Sequence, residues 1–129
     1  MKQIFNSLPR PVVCALLLLM SSVLLMPHVY ANSVRIFNLS EELWARPRSG
    51  AVIPHMEPLK LAVAYWESGT DVYMMLSYPG GDSGEIWASE LKDWLVSLGI
   101  PSQFILLSAG FQVEDEIKIL VGSRQELIK

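Results

Sequence analysis

The sequence predicts an α+β fold: a small mixed sheet of about four strands carrying two main helices, in the order β-α-β-α-β-β. Three observations predict it. Two stretches between residues 58 and 99 repeat apolar residues at helical spacing. Short β-branched or wholly apolar runs of strand length lie before, between and after them. Gly or Pro marks most of the junctions. Helices with one apolar stripe each need a surface to bury it on, and a single sheet supplies that surface.

The chain begins with a segment that stands apart from this pattern. Lys2 and Arg10 are followed by an apolar run of 16 residues, Pro11 to Met26, and then by Pro27 and Val29-Tyr30-Ala31. This is the order of a secretory signal peptide, with small or β-branched residues at the cleavage positions, and it predicts removal of 1–31 after Ala31. The run is shorter than the roughly 20 residues of a spanning helix and is interrupted by Ser21 and Ser22. Cys14, the only cysteine, lies near the start of the run, where it does not suit lipidation. The mature chain, 32–129, is therefore expected to be one domain without a disulfide and without a membrane span, stabilised by an ordinary core. Losing Lys2 and Arg10 leaves eight basic against thirteen acidic residues, a formal charge of −5. Such a balance excludes a nucleic-acid binder, whose affinity depends on phosphate-neutralising cations.

Within 32–129, Val34-Arg35-Ile36-Phe37 with Leu39 predicts a first strand, and Ser40 before Glu41 and Glu42 suits a helix start. Pro47 and Gly50 limit that helix to a turn or two. Pro58 opens the next helix, where Leu59, Ala62, Val63 and Trp66 share a face and Gly69 supplies the stop. The continuous run Val72 to Leu76 predicts a central strand covered on both sides. After Pro79-Gly80-Gly81-Asp82-Ser83-Gly84 comes the best-defined helix, with Trp87, Leu91, Trp94, Leu95 and Leu98 as its stripe and Gly99 and Pro101 as its end. Phe104–Leu107 and Ile117–Val121 complete the strands, joined by a polar linker, 108–116, that ends in Glu114-Asp115-Glu116.

The segment Trp87 to Pro101 resembles the corresponding stretch of OmpA-type C-terminal domains, and the element order fits that fold. In that family an Asp after the central strand and an Arg at the start of this helix motif bind the diaminopimelate carboxylate of peptidoglycan. Here Trp87 stands at the Arg position and Ser77-Tyr78-Pro79-Gly80 at the position of the Asp segment. Two further segments, Leu43-Trp-Ala-Arg-Pro-Arg-Ser-Gly50 and Pro79 to Leu91, resemble small exported proteins of integrative conjugative elements in proteobacteria. That resemblance covers nearly the whole mature chain. It implies a periplasmic protein of a Gram-negative bacterium, working beside type IV secretion genes in conjugative DNA transfer, with a protein partner in the secretion apparatus. Peptidoglycan is the alternative ligand, implied by the OmpA likeness.

The candidate contact residues follow from chemistry and position. Arg46-Pro47-Arg48 is the one paired cation site, and guanidinium forks at that spacing suit a carboxylate, a phosphate or an acidic partner. The same arginines also suit a solvated loop in which they pair with Glu41, Glu42 or the acids of 114–116; the sequence leaves both readings open. Trp66, Trp87 and Trp94 fall on helix faces with aliphatic residues and are expected in the core. Trp44, off any long stripe, is the expected partner anchor beside Arg46 and Arg48. The loop of Pro79, Gly80, Gly81, Asp82 and Glu85 has the strand, glycine and helix-start geometry of an anion cradle. Its spacing matches neither nucleotide fingerprint, and Asp82 at N-cap with Glu85 at N3 forms a capping box, so a structural turn is favoured over a ligand loop. Mature residues include one histidine, His55, no cysteine and no carboxylate pair of glycosidase type. No catalytic role, metal or cofactor is expected.

Overall fold

β1 (Arg35–Ser40) ends on a residue that starts the next element: the Ser40 hydroxyl accepts from the Leu43 N–H at 3.2 Å and caps the single-turn α1 (Glu41–Trp44). The computed structural model describes residues 33–129, within the unit Asn32–Lys129. The expected signal peptide, 1–31, and the expected cleavage after Ala31 lie outside the described residues. A 3-10 turn (Ile53–His55) leads into α2 (Glu57–Glu67), then β2 (Val72–Pro79), α3 (Asp82–Ser97), a second 3-10 turn (Ser102–Phe104), β3 (Ile105–Phe111), β4 (Glu116–Ser123) and the short α4 (Arg124–Leu127). This is the expected β-α-β-α-β-β order with one added turn of helix at the end.

The sheet is mixed and has the order β1-β4-β2-β3, with β4 antiparallel to both of its neighbours and β2 parallel to β3. β3 and β4 follow each other in the chain but do not pair. Residues 112–115 carry the chain past the end of β2 to a place between β1 and β2. Two strand spacings come to about 10 Å, which four residues reach.

α2 and α3 share one face of the sheet. Leu59 and Ala62 of α2 join Trp87, Ala88, Leu91 and Leu95 of α3 in one cluster with Met74 and Leu76 of β2 and Ile117, Ile119 and Val121 of β4. Fully burying one such side chain is worth roughly 1.5–3 kcal/mol. Trp94 and Leu98 complete the α3 stripe as half-buried residues at its margin.

β2 is central, as expected, but helices cover only one of its faces. The registers Ile36↔Leu120, Leu120↔Met75 and Met75↔Leu106 align an apolar row across the other face, where Met75, Leu106 and Leu120 are half-buried and Ile36 is 55% exposed. α4 reaches this face only at one end, where the Arg124 guanidinium lies 5.7 Å from the centre of the Tyr73 ring. The polar linker is also shorter than the sequence suggests. β3 runs on to Phe111 because Ser108 and Ala109 pair with Ser77 and Tyr78, and sheet pairing overrides their weak strand preference.

One end of the sheet gathers the parts that matter below. The C-terminal ends of β1, β2 and β3 and the N-terminal end of β4 meet there, with the Glu41 N–H donating to the Asp115 carbonyl at 2.7 Å. α1, the start of α3 and the 112–115 connection therefore surround a common spot.

Candidate interaction site

The segments 43–50 and 79–91 are far apart in sequence and touch in space. The rings of Trp44 and Trp87 stack with centroids 6.4 Å apart and planes at 29°. Arg48 spans from one segment to the other: its Nε donates to Glu90 Oε1 at 2.8 Å and its Nη2 to Glu90 Oε2 at 3.4 Å. The same guanidinium donates from Nη1 to the Trp44 carbonyl at 2.7 Å and lies 4.9 Å from the centre of the Trp44 ring. A single arginine thus ties the loop to α3 and folds it over its own tryptophan.

This arrangement changes the roles expected from sequence. Trp44 is 6% exposed and belongs to the core cluster, so it is not an exposed anchor. Its helix is a single turn, too short for a stripe to form, and its burial comes from Trp87, which is distant in sequence. Arg48 pairs with Glu90 rather than with Glu41, Glu42 or the acids of 114–116. Arg46 remains exposed and makes no ion pair among the described residues. It borders a separate shallow hollow with Val52, His55 and Met56.

The start of α3 differs as well. Gly81, at φ 90° and ψ 171°, is the N-cap, Asp82 is the first helical residue, and no side chain caps the helix. The expected Asp82–Glu85 capping box does not form; both acids instead sit in the first turn, where the helix dipole favours negative charge. Gly84 is buried against the end of β2, where a Cβ would lie 1.9 Å from the Pro79 carbonyl oxygen. Close approach of helix and strand, rather than ligand binding, accounts for this glycine.

A cleft of about 380 Å³ opens at the junction. Trp44 and Trp87 line it together with Pro79, Gly80, Ser83 and Gly84 of the glycine loop, and Glu41 and Glu114 complete it. The structure therefore brings Trp44, Pro79 and Gly80 to one place, leaves Arg46 outside it and holds Arg48 on α3. Sequence reasoning missed Glu41, Ser83, Gly84, Trp87, Glu90 and Glu114. Trp87 fits a core stripe and Glu90 a solvated helix face, and neither position advertises a partner more than forty residues away. Among the described residues no group of three His, Cys, Asp or Glu side chains is placed to hold a metal ion, and no helix is long and apolar enough to cross a membrane.

Truncating Arg48 tests how firmly the loop is held. Arg48→Ala removes a half-exposed ion pair and a cation–π contact, a combined loss of about 1 kcal/mol. The expected result is a melting temperature lower by roughly 4–8 °C, with faster proteolysis at residues 45–51. Unchanged melting and proteolysis would show that the loop is held by other contacts.

Compared with known families, curated proteins and solved structures, the chain matches none.

Proposed function

We propose that this chain acts in the periplasm as a non-enzymatic interaction module of an integrative conjugative element, contacting a protein of the type IV secretion apparatus during DNA transfer. The observation that carries the reading is the meeting of the two resembling segments. Leu43–Gly50 and Pro79–Leu91 build one cleft, joined by the Trp44–Trp87 stack and the Arg48–Glu90 pair. A loop fastened in this way presents its exposed residues in a fixed arrangement, which lowers the entropy lost on binding. Arg46, Pro47, Ser49 and Gly50 are among those exposed residues, and Arg46 supplies a cation without an ion pair among the described residues.

Arg46→Glu separates contact from folding, because among the described residues Arg46 lies in no ion pair and outside the core. The expected result is an unchanged melting temperature, a loss of partner recovery after crosslinking, and DNA transfer lower by about tenfold, the size of one hot-spot contact. A variant that transfers DNA at the original rate and retains every crosslinked partner would refute the role of the loop.

The second reading, an envelope binder of OmpA type, is favoured by the β-α-β-α-β-β order. It lacks the guanidinium at the helix start, since the side chain there is the buried Trp87. Retention of the protein on peptidoglycan in a pull-down, competed by diaminopimelate, would establish it over the first reading.

A further inference from the structure

We infer that the cleft beside Trp44 and Trp87 receives a basic segment of the partner protein: a lysine or arginine enters near Glu41 and Glu114 while a main-chain carbonyl of the same segment accepts from the Trp87 indole. The inference rests on the interaction reading above and names the chemistry of the partner.

The end of the sheet that carries the cleft concentrates negative charge. Glu41 and Glu42 of α1, Asp82 and Glu85 of the first turn of α3, and the run 114–116 all lie there, seven of the thirteen acids of the chain. Of the nearby cations, Arg46 faces away into a separate hollow and two others are already engaged. Arg48 is held by Glu90, and the Lys118 ammonium lies 4.6 Å from the centre of the Phe111 ring. Clustered charge of one sign raises the local concentration of the opposite sign and speeds encounter. Glu41 and Glu114, both exposed, line the cleft itself and so select a cation at its mouth over an anion.

An acidic cluster alone does not define a ligand; Trp87 adds an independent demand. Its indole belongs to the cleft lining and is 9% exposed, and its Nε1–H is buried without an acceptor among the described residues. Trp66 shows the usual state, its Nε1–H donating to the Val72 carbonyl at 2.8 Å. A buried donor left unpaired carries its full desolvation cost, which an acceptor reaching it from the cleft recovers on binding. The amides at the uncapped start of α3 present further donors next to it. A carboxylate or phosphate would satisfy these donors but would sit beside Glu41 and Glu114. A neutral carbonyl together with a cationic side chain satisfies both, and a lysine or arginine residue in a peptide offers that pair.

The test is calorimetric titration of the purified exported protein with a lysine–glycine peptide and with a glutamate–glycine peptide of the same length, at low ionic strength. Saturable binding of the lysine peptide alone is expected. E41Q/E114Q should lower its affinity by about fivefold or more, as expected for two exposed charge contacts. Trp87→Phe, which keeps a ring and removes the N–H, should weaken binding about threefold in a chain that stays folded at the titration temperature, the smaller core ring lowering the melting temperature by a few degrees. E67Q/E126Q, at the far end of the sheet, should bind as the original chain does. Absent or equal binding of the two peptides, an unchanged affinity in E41Q/E114Q or in Trp87→Phe, or an equal loss in E67Q/E126Q would overturn the inference. If the lysine peptide fails to bind while Arg46→Glu still sheds its crosslinked partner, the interaction reading stands and only the basic chemistry of the partner falls.

Discussion

Gly84→Ala is expected to destabilise the protein by about 2 kcal/mol or more, and so to lower its melting temperature by roughly 8 °C or more. In an ordinary helix the same change stabilises, by about 1 kcal/mol, because alanine gives up less backbone freedom. Here the new Cβ would lie 1.9 Å from the Pro79 oxygen and 2.8 Å from its carbonyl carbon. Both are backbone atoms at the end of β2, next to a register irregularity between Tyr78 and Pro79, so no side chain can swing aside. Relief requires the first turn of α3 to move away from the sheet, and Trp87 lies one turn further along. Gly80→Ala is the matched control: nothing lies within 4 Å of the added atom, and a change within about 0.5 kcal/mol is expected. Thermal unfolding that leaves Gly84→Ala as stable as Gly80→Ala would rule out the close approach.

That contrast shows where sequence reasoning about the glycine loop stops. Gly80, Gly81 and Gly84 look alike in a motif, yet each has a different setting. Gly81 takes a positive φ, Gly84 makes room for a strand end, and Gly80 meets neither demand. Helix α3 was legible because a 16-residue element repeats its stripe several times. β2 was legible because its apolar run is unbroken, and β4 because Ile117, Ile119 and Val121 alternate onto one face. The second half of β3 was not, since Ser108, Ala109 and Gly110 favour no strand, and only the pairing of Ser108, Ala109 and Phe111 with β2 holds it. Element order was therefore readable, while the insertion of β4 between β1 and β2 was not. Pairing of strands is a non-local property, and a four-residue connection is long enough either to form a hairpin or to pass a strand.

The site was legible in its pieces and not in its assembly. Its two segments stand out in the sequence, and Arg48 there suits an outside contact and a pairing within the protein equally well. Its carboxylate, Glu90, lies 42 residues later, on the face of α3 that sequence assigned to solvent. Local spacing identifies partners three or four residues apart on one helix, and no comparable rule links a loop to a distant helix.

Trp44→Ala carries the largest expected cost, about 3–5 kcal/mol. The side chain is 6% exposed, its ring stacks on Trp87, and its carbonyl and ring both engage Arg48. Truncation opens a cavity at the junction of α1 and α3 and takes away the ring that the Arg48 guanidinium covers, leaving that guanidinium only its bonds to Glu90 and to the carbonyl of residue 44. Since a domain of this size is stable by only about 5–15 kcal/mol, the variant should unfold at markedly lower temperature and urea concentration. Trp44→Phe, which keeps an aromatic ring, should recover more than half of the loss. A double-mutant cycle between Trp44→Phe and Trp87→Phe should reveal a coupling of about 0.5–1.5 kcal/mol from the stacked pair. Unfolding of Trp44→Ala within about 1 kcal/mol of the original chain would show that the indole is not a core element and would restore it as an exposed anchor. The distinction matters for function, because a Trp44→Ala variant that sheds its partner reports a collapsed cleft, whereas Arg46→Glu reports a lost contact.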